Sequence, residues 1–224
     1  MAQFRIVALL KSKFLGHSVQ QIFSTIYRHN NWGNNGSVSG AGSDLTQTAI
    51  IRREIAKLTA ELGIQTMLDA PCGDYYWMKE APMNLSNYIG VDIVPEMIES
   101  NQRQFGNSKV SFHVLDIMKD NLPRVDLILC RDCLVHLPLP AGASAIRNFV
   151  RSGSKYLLAT TYPSIFRKNE ELLITGNWRP LDLQLPPFSL PKPVRLINEG
   201  CTQKDDYREK SLGLWELAKL CIPG

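Results

Sequence analysis

Two aspartates that close short apolar runs are the residues of this chain best suited to hold a ligand. Leu68-Asp69-Ala70-Pro71-Cys72-Gly73-Asp74 ends the first run, and Asp92, nineteen residues after Gly73, closes the second, Tyr88-Ile89-Gly90-Val91-Asp92-Ile93. Adjacent parallel strands deliver carboxylates to one end of a sheet in this way. Gly73 allows a tight turn with no side chain between backbone and ligand, and a carboxylate about twenty residues later accepts hydrogen bonds from a ribose diol. An adenosine-containing ligand is expected. The three-glycine dinucleotide fingerprint is missing: Pro71, Asp74 and Tyr75 occupy neighbouring turn positions. Asp74 would repel a pyrophosphate and tyrosine would block its approach, so a cofactor without phosphates is favoured.

With these residues the sequence resembles the class I S-adenosylmethionine-dependent methyltransferases, over roughly residues 65 to 162. The resemblance implies a Rossmann-like, mostly parallel seven-stranded sheet with helices on both faces, a three-layer α/β/α sandwich, and S-adenosyl-L-methionine as cofactor. By this likeness Asp69, Ala70 and Gly73 belong to the glycine loop, Asp92 is the ribose-binding acid and Ile93 packs on adenine. Val110-Ser111-Phe112-His113-Val114-Leu115-Asp116-Ile117 supplies Asp116 to face the adenine amino group, with Ile117 beside it. Val125-Asp126-Leu127-Ile128-Leu129-Cys130-Arg131-Asp132 ends beside the methionine moiety, with Cys130 and Arg131 as contacts and Arg131 as a partner for the cofactor carboxylate. Where Pro71 and Tyr75 stand, the family pattern usually carries glycine.

The chemistry of methyl transfer is expected in Arg131-Asp132-Cys133-Leu134-Val135-His136. An in-line displacement at a sulfonium carbon gains most from alignment, as much as ~7 to 11 kcal/mol. A base is required only where the acceptor must lose a proton. His136 suits that role near neutral pH, with Asp132 orienting it or serving instead; the structural alternative is a histidine that caps a helix start.

The sequence alternates strand and helix signals. Strands are predicted at 66–70, 88–93, 110–115, 125–130 and 155–161, and a closing antiparallel pair at 194–199 and 211–217. Residues 45–62 have an amphipathic pattern begun by Ser43 or Asp44 as N-cap, and helices are predicted at 95–105, with Pro95 near its start, and 141–151. An N-terminal arm and possible lid is expected at 1–43, and the methyltransferase domain that the resemblance implies at 44–224. Within that domain, a segment at about 162–193 carries five prolines between 180 and 193. Following the fifth strand, it is expected to cover the strand ends and offer Tyr162, Trp178 and Arg179 to a planar, sugar or anionic acceptor, or else to pack as a surface insertion.

Composition narrows the partners. The net charge of +4 comes from the arm, where Arg5, Lys11, Lys13 and Arg28 face no acid; the remainder balances 21 basic with 21 acidic residues. A broad basic face for nucleic acid is therefore not expected. No apolar run approaches the ~20 residues of a membrane span. Phe4, Ile6, Val7, Leu10, Phe14, Leu15, Ile22, Phe23 and Ile26 recur at helical spacing, which suits a helix packed on the body or on a partner, a membrane-surface contact or a targeting segment. The Asn/Gly/Ser-rich stretch 30–43, with Trp32, reads as a lid or a linker. Five cysteines without a framework point to a reducing, cytoplasmic setting. Cys130-x-x-Cys133 has no second pair to complete a zinc site, leaving metal or redox use or a half-buried strand-end thiol.

The expected function is methyl transfer to an oxygen or nitrogen of a small-molecule or glycan-like acceptor, with no metal. A cofactor-binding subunit without catalysis and a nicotinamide-dependent oxidoreductase are the alternatives.

Overall fold

The computed structural model describes residues 16–33, 36–163, 168–201 and 207–220. Phe4 to Leu15 of the predicted arm lie outside them. The elements in chain order are α1 (Val19–Arg28), α2 (Ala49–Glu61), β1 (Thr66–Asp69), β2 (Asn87–Asp92), α3 (Pro95–Phe105), β3 (Val110–Val114), β4 (Leu127–Cys130), α4 (Leu139–Arg151), β5 (Tyr156–Thr161), β6 (Arg195–Asn198) and β7 (Ser211–Glu216). They build one seven-stranded sheet in the order β3-β2-β1-β4-β5-β7-β6. The first five strands run parallel; β7 is antiparallel to both β5 and β6. The fold is Rossmann-like, as expected.

Alternation along the central strands sends side chains to two separate cores. Leu68, Ile128, Cys130 and Leu157 join Ile146 and Phe149 of α4 on one face. Met67, Leu127, Leu129 and Leu158 join Ile51, Ile55 and Leu58 of α2, with Ile98 of α3, on the other. Strands covered on both faces read as continuous apolar runs, which is why β4 is Leu-Ile-Leu-Cys with no polar position. Burying each such side chain contributes about 1.5–3 kcal/mol.

Local chemistry sets the helix starts. Ser18 and Gln21 form a reciprocal capping box at α1: the Gln21 N–H donates to Ser18 Oγ at 3.2 Å and the Ser18 N–H to Gln21 Oε1 at 2.8 Å. Pro95 occupies the first turn of α3, where its missing N–H costs nothing. Helix α2 begins at Ala49 behind Thr48 rather than at 45. Asp44 instead closes a turn, accepting the Thr46 N–H at 2.7 Å, and this local bond delays the helix. Strand β4 begins at Leu127, two residues later than predicted: before it the Val125 N–H donates to Ser154 Oγ at 3.0 Å, and the Asp126 carboxylate accepts the Gln65 and Thr66 N–H groups at 3.0 Å.

None of the described residues of the segment after β5 lines the cleft described below. Its Leu181, Leu183, Phe188 and Leu190 are buried in the α4-side core. The Tyr162 N–H donates to the Leu181 carbonyl at 2.8 Å and Trp215 Nε1 to the Pro191 carbonyl at 2.7 Å. Apolar residues every two to three positions drew this proline-rich stretch into the core. Among the described residues no helix is long and apolar enough to cross a membrane.

Candidate cofactor and acceptor site

Sheet order reverses between β1 and β4, and a cleft of about 1070 Å³, counting its open mouth, lies at the strand ends there. Open α/β sheets bind ligands at such a switch point. Asp69, Gly73, Asp92, Ile93, Asp116 and Ile117 all line it, as do Arg131, Asp132 and His136. Ala70 and Cys130 do not. Both are buried on the α4 side of the sheet, where strand alternation turns them from the opening.

Asp92 is held from behind. Its Oδ2 accepts the Gly73 N–H at 3.3 Å and its Oδ1 the Val94 N–H at 3.1 Å. Burial pushes its carboxyl up to about 6 despite these bonds. Burial also raises Asp69 to about 7, although Tyr88 Oη donates to its Oδ2 at 2.6 Å. Asp116 turns one oxygen back to the Met118 N–H at 3.0 Å and pairs with Lys119 at 3.2 Å. Beside these acids, Val94, Met97, Leu115 and Met118 give the cleft an apolar wall.

The glycine loop is fastened to the stretch preceding α2. Gly73 has φ +55°, and a Cβ there would stand 2.4 Å from Ser39 Oγ. Asp74 accepts the Val38 N–H at 2.9 Å and the Ser39 hydroxyl at 3.2 Å, while the Asp74 N–H donates to Ser39 Oγ at 3.1 Å. Tyr75 retains the left-handed backbone that glycine favours, at φ +58°. Its ring packs 4.9 Å from Tyr88 and 5.1 Å from Phe112, and that burial offsets about 1–2 kcal/mol of local strain.

Arg131 lies on the cleft wall with its charge already shared. Nη2 donates to Glu199 Oε2 at 2.7 Å and to the Gly42 carbonyl at 2.8 Å, Nε donates to Glu199 at 3.1 Å, and Nη1 pairs with Asp132 at 3.3 Å. The guanidinium also stands 5.2 Å above the Trp77 ring. The expected pairing of Arg131 with a cofactor carboxylate thus meets a guanidinium engaged within the protein. Lys210 completes the cluster, 2.5 Å from Asp132 and 3.4 Å from Glu199. Burial works to raise the Asp132 carboxyl, but Lys210 and then Arg131 outweigh it and hold it at about 2. Sequence reasoning missed Glu199 and Lys210. Their signal was positional: one follows β6 and the other precedes β7, so the antiparallel pair carries both to the end of β4.

His136 is oriented by a backbone carbonyl rather than by Asp132. Its Nδ1 donates to the Asn177 carbonyl at 2.9 Å, which leaves Nε2 as the unprotonated nitrogen. Burial lowers its basicity, with the Asn177 bond opposing. Its ring stacks on Trp32 at 4.6 Å, and Trp32 meets Phe23 of α1 edge-on at 5.8 Å.

The three residues expected to contact acceptor take other parts. Arg179 is buried, and its guanidinium donates to the carbonyls of Leu134, Val135, Leu137 and Glu170 at 2.6–3.0 Å. It clamps the turn that carries His136. Tyr162 is fully buried, and Trp178 packs edge-on between Tyr162 and Tyr207. None of the three lines the cleft. Cys133 lines it and Cys130 does not; among the described residues no group of His, Cys, Asp or Glu is arranged to hold a metal ion.

Comparison with known proteins agrees with this geometry. Residues 67–153 match a family model described as a methyltransferase domain. The N-methyltransferase NodS from Bradyrhizobium japonicum WM9, solved with S-adenosyl-L-homocysteine, superposes with a TM-score of 0.58 at 15% identity, over 85% of this chain and 97% of its own. Human N-acetylserotonin methyltransferase, solved with its S-adenosylmethionine, superposes with a TM-score of 0.58 at 14% identity, over 91% of this chain and 61% of its own. An S-adenosylmethionine-dependent methyltransferase from Clostridium acetobutylicum gives 0.55 at 14%, over 77% and 92%. No curated protein matches the chain by sequence. Domain match and fold both agree with the resemblance to the class I S-adenosylmethionine-dependent methyltransferases and with the cofactor that resemblance implies, S-adenosyl-L-methionine.

The residues suit that cofactor. A carboxylate offers about four acceptor positions, and the two backbone bonds to Asp92 leave two for a ribose diol. The flanking Ile93 and Ile117 offer apolar surface to a purine, and the acids along the cleft favour a cationic ligand over a pyrophosphate.

Proposed function

We propose that this chain transfers a methyl group from S-adenosylmethionine to an oxygen or nitrogen of a small-molecule or glycan-like acceptor, with His136 as the base. Asp92 would hold the ribose, Ile93 and Ile117 the adenine faces, Asp116 the adenine amino edge, and Asp69 with the Gly73 turn the amino-acid end. When bound, the cofactor supplies an electrophilic methyl group on a sulfonium. His136 would take the acceptor proton on Nε2, a contribution of typically ~10² to 10⁴ in rate.

The observation that carries the reading is the fixed tautomer of His136 on the wall of the cleft that also holds Asp92. Neutral imidazole is the form required of a base, and burial favours it. Asp132, held ionised by Lys210 and Arg131, supplies fixed negative charge beside a developing cation. Helix α1 roofs the cleft through Val19, Phe23, Ile26 and Tyr27, in keeping with a lid formed by the arm.

Two measurements test the function. Calorimetry with S-adenosylhomocysteine should give a single site, and acceptor-dependent formation of S-adenosylhomocysteine should be lost in His136→Gln while binding persists. A folded protein that binds the product but methylates no acceptor across phenols, amines and sugars would favour the non-catalytic alternative.

A further inference from the structure

The acceptor side of the cleft differs in character from the nucleoside side. Around His136 it is aromatic and apolar: Trp32 stacks on the imidazole at 4.6 Å, Phe23 meets Trp32 edge-on at 5.8 Å, and Leu137 follows in the chain on the same lining. Among the described residues, the charged ones lining the cleft are five aspartates (Asp69, Asp74, Asp92, Asp116, Asp132) and Arg131. The one guanidinium is paired with Glu199 and Asp132 and bonded to the Gly42 carbonyl. Among the described residues, no cation lining the cleft is left for a phosphate or carboxylate on an acceptor. A sugar, which presents hydroxyls around its whole rim, would leave most of them unpaired against these side chains.

The roof excludes large acceptors. Gln20 Nε2 donates to the Ile93 carbonyl at 3.0 Å, and Arg28 pairs with Glu96 at the start of α3. At Gly176 a Cβ would come 2.7 Å from Ile26 Cδ1, so α1 also sits directly on the backbone of the segment that positions His136. A helix fastened at both ends over the opening leaves room for a small molecule, not for the surface of a protein or a nucleic acid.

Resting on the methyltransferase reading above, we propose that the acceptor is a flat aromatic molecule, uncharged or cationic, that packs in the Trp32–Phe23 part of the cleft with a hydroxyl or amine at His136. Aromatic side chains attract such rings by offset or edge-on packing, and a cation gains further from both the rings and the aspartates. For a phenol, the oxygen forms a bond to the methyl carbon as the carbon–sulfur bond breaks. The electron pair stays on sulfur, giving S-adenosylhomocysteine, and the phenolic proton passes to His136 Nε2.

The test holds the ring constant and varies the charge. Binding of 4-ethylphenol, tyramine, 4-hydroxyphenylacetate and methyl glucoside is measured by calorimetry on the full chain saturated with S-adenosylhomocysteine, alongside Trp32→Ala and Trp32→Phe. Expected are binding of 4-ethylphenol and of tyramine, at least tenfold weaker binding of 4-hydroxyphenylacetate, and none of the glucoside. Trp32→Ala should weaken both bound phenols about tenfold, Trp32→Phe should restore most of that loss, and both variants should keep the affinity for S-adenosylhomocysteine. The proposal is overturned if the acid or the glucoside binds as well as tyramine, if none of the four binds, or if Trp32→Ala is without effect. If S-adenosylhomocysteine itself fails to bind the wild-type protein, the cofactor reading falls first and takes the acceptor class with it.

Discussion

Replacing Asp92 with asparagine probes the cofactor site most directly. The carboxylate has about four acceptor positions, two occupied by the Gly73 and Val94 N–H groups and two left for ribose hydroxyls. An amide keeps one oxygen and puts an NH₂ in place of the other, so one backbone N–H meets a donor and the charge is lost. Each charge-assisted hydrogen bond contributes about 1.5–3 kcal/mol. Losing one therefore weakens S-adenosylhomocysteine binding by roughly 10- to 150-fold. The carboxyl is raised to about 6 by burial, so wild-type affinity should also decline as pH falls from 7.5 towards 5, and the asparagine variant should lack that decline. Calorimetric titrations at both pH values measure both effects, with thermal melting of the ligand-free variant to establish that it is folded. Equal affinity in wild type and variant at pH 7.5 would refute the ribose assignment.

Three further outcomes are expected. His136→Gln should reduce turnover of a proton-bearing acceptor by ~10² to 10⁴ with cofactor affinity unchanged, read from steady-state kinetics beside calorimetry. Glu199→Gln leaves Arg131 and Lys210 buried with one carboxylate fewer, so it should cost about 3–5 kcal/mol, seen as a lower urea midpoint. Asp69 has a native value of about 7 against an ordinary value of 3.8, so the folded state binds its proton more tightly. The stability it contributes is present below about pH 4 and is lost as pH rises towards 7. Asp69→Asn should flatten that part of the stability–pH curve in urea titrations; an unchanged slope would show that Asp69 titrates normally.

Several elements were legible because their signals are local. The runs ending in Asp69, Asp92 and Cys130 gave strands within two residues of their observed limits, since buried parallel strands need unbroken apolar stretches. Pro95 marked the start of α3. The turn at Asp44 misled because an Asx bond and a helix cap use the same side chain and the same kind of donor. Tyr162, Trp178 and Arg179 drew attention as ligand-binding types, yet a buried ring or guanidinium serves packing equally well, and only its neighbours distinguish the uses.

What the sequence determined by itself is where the strands lie along the chain and the carboxylates that end them, because strand period and turn chemistry act between residues close in the chain; the order of the strands in the sheet came from the tertiary structure. Tertiary structure decided which of those charges remain free. Arg131 meets Glu199 68 residues away and Asp132 meets Lys210 78 residues away. His136 takes its orientation from Asn177, 41 residues on, and its stacking partner from Trp32. The physical reason lies in the antiparallel β6–β7 pair and the packed segment after β5, which bring distant charges and carbonyls to the end of β4, where burial makes each pairing strong.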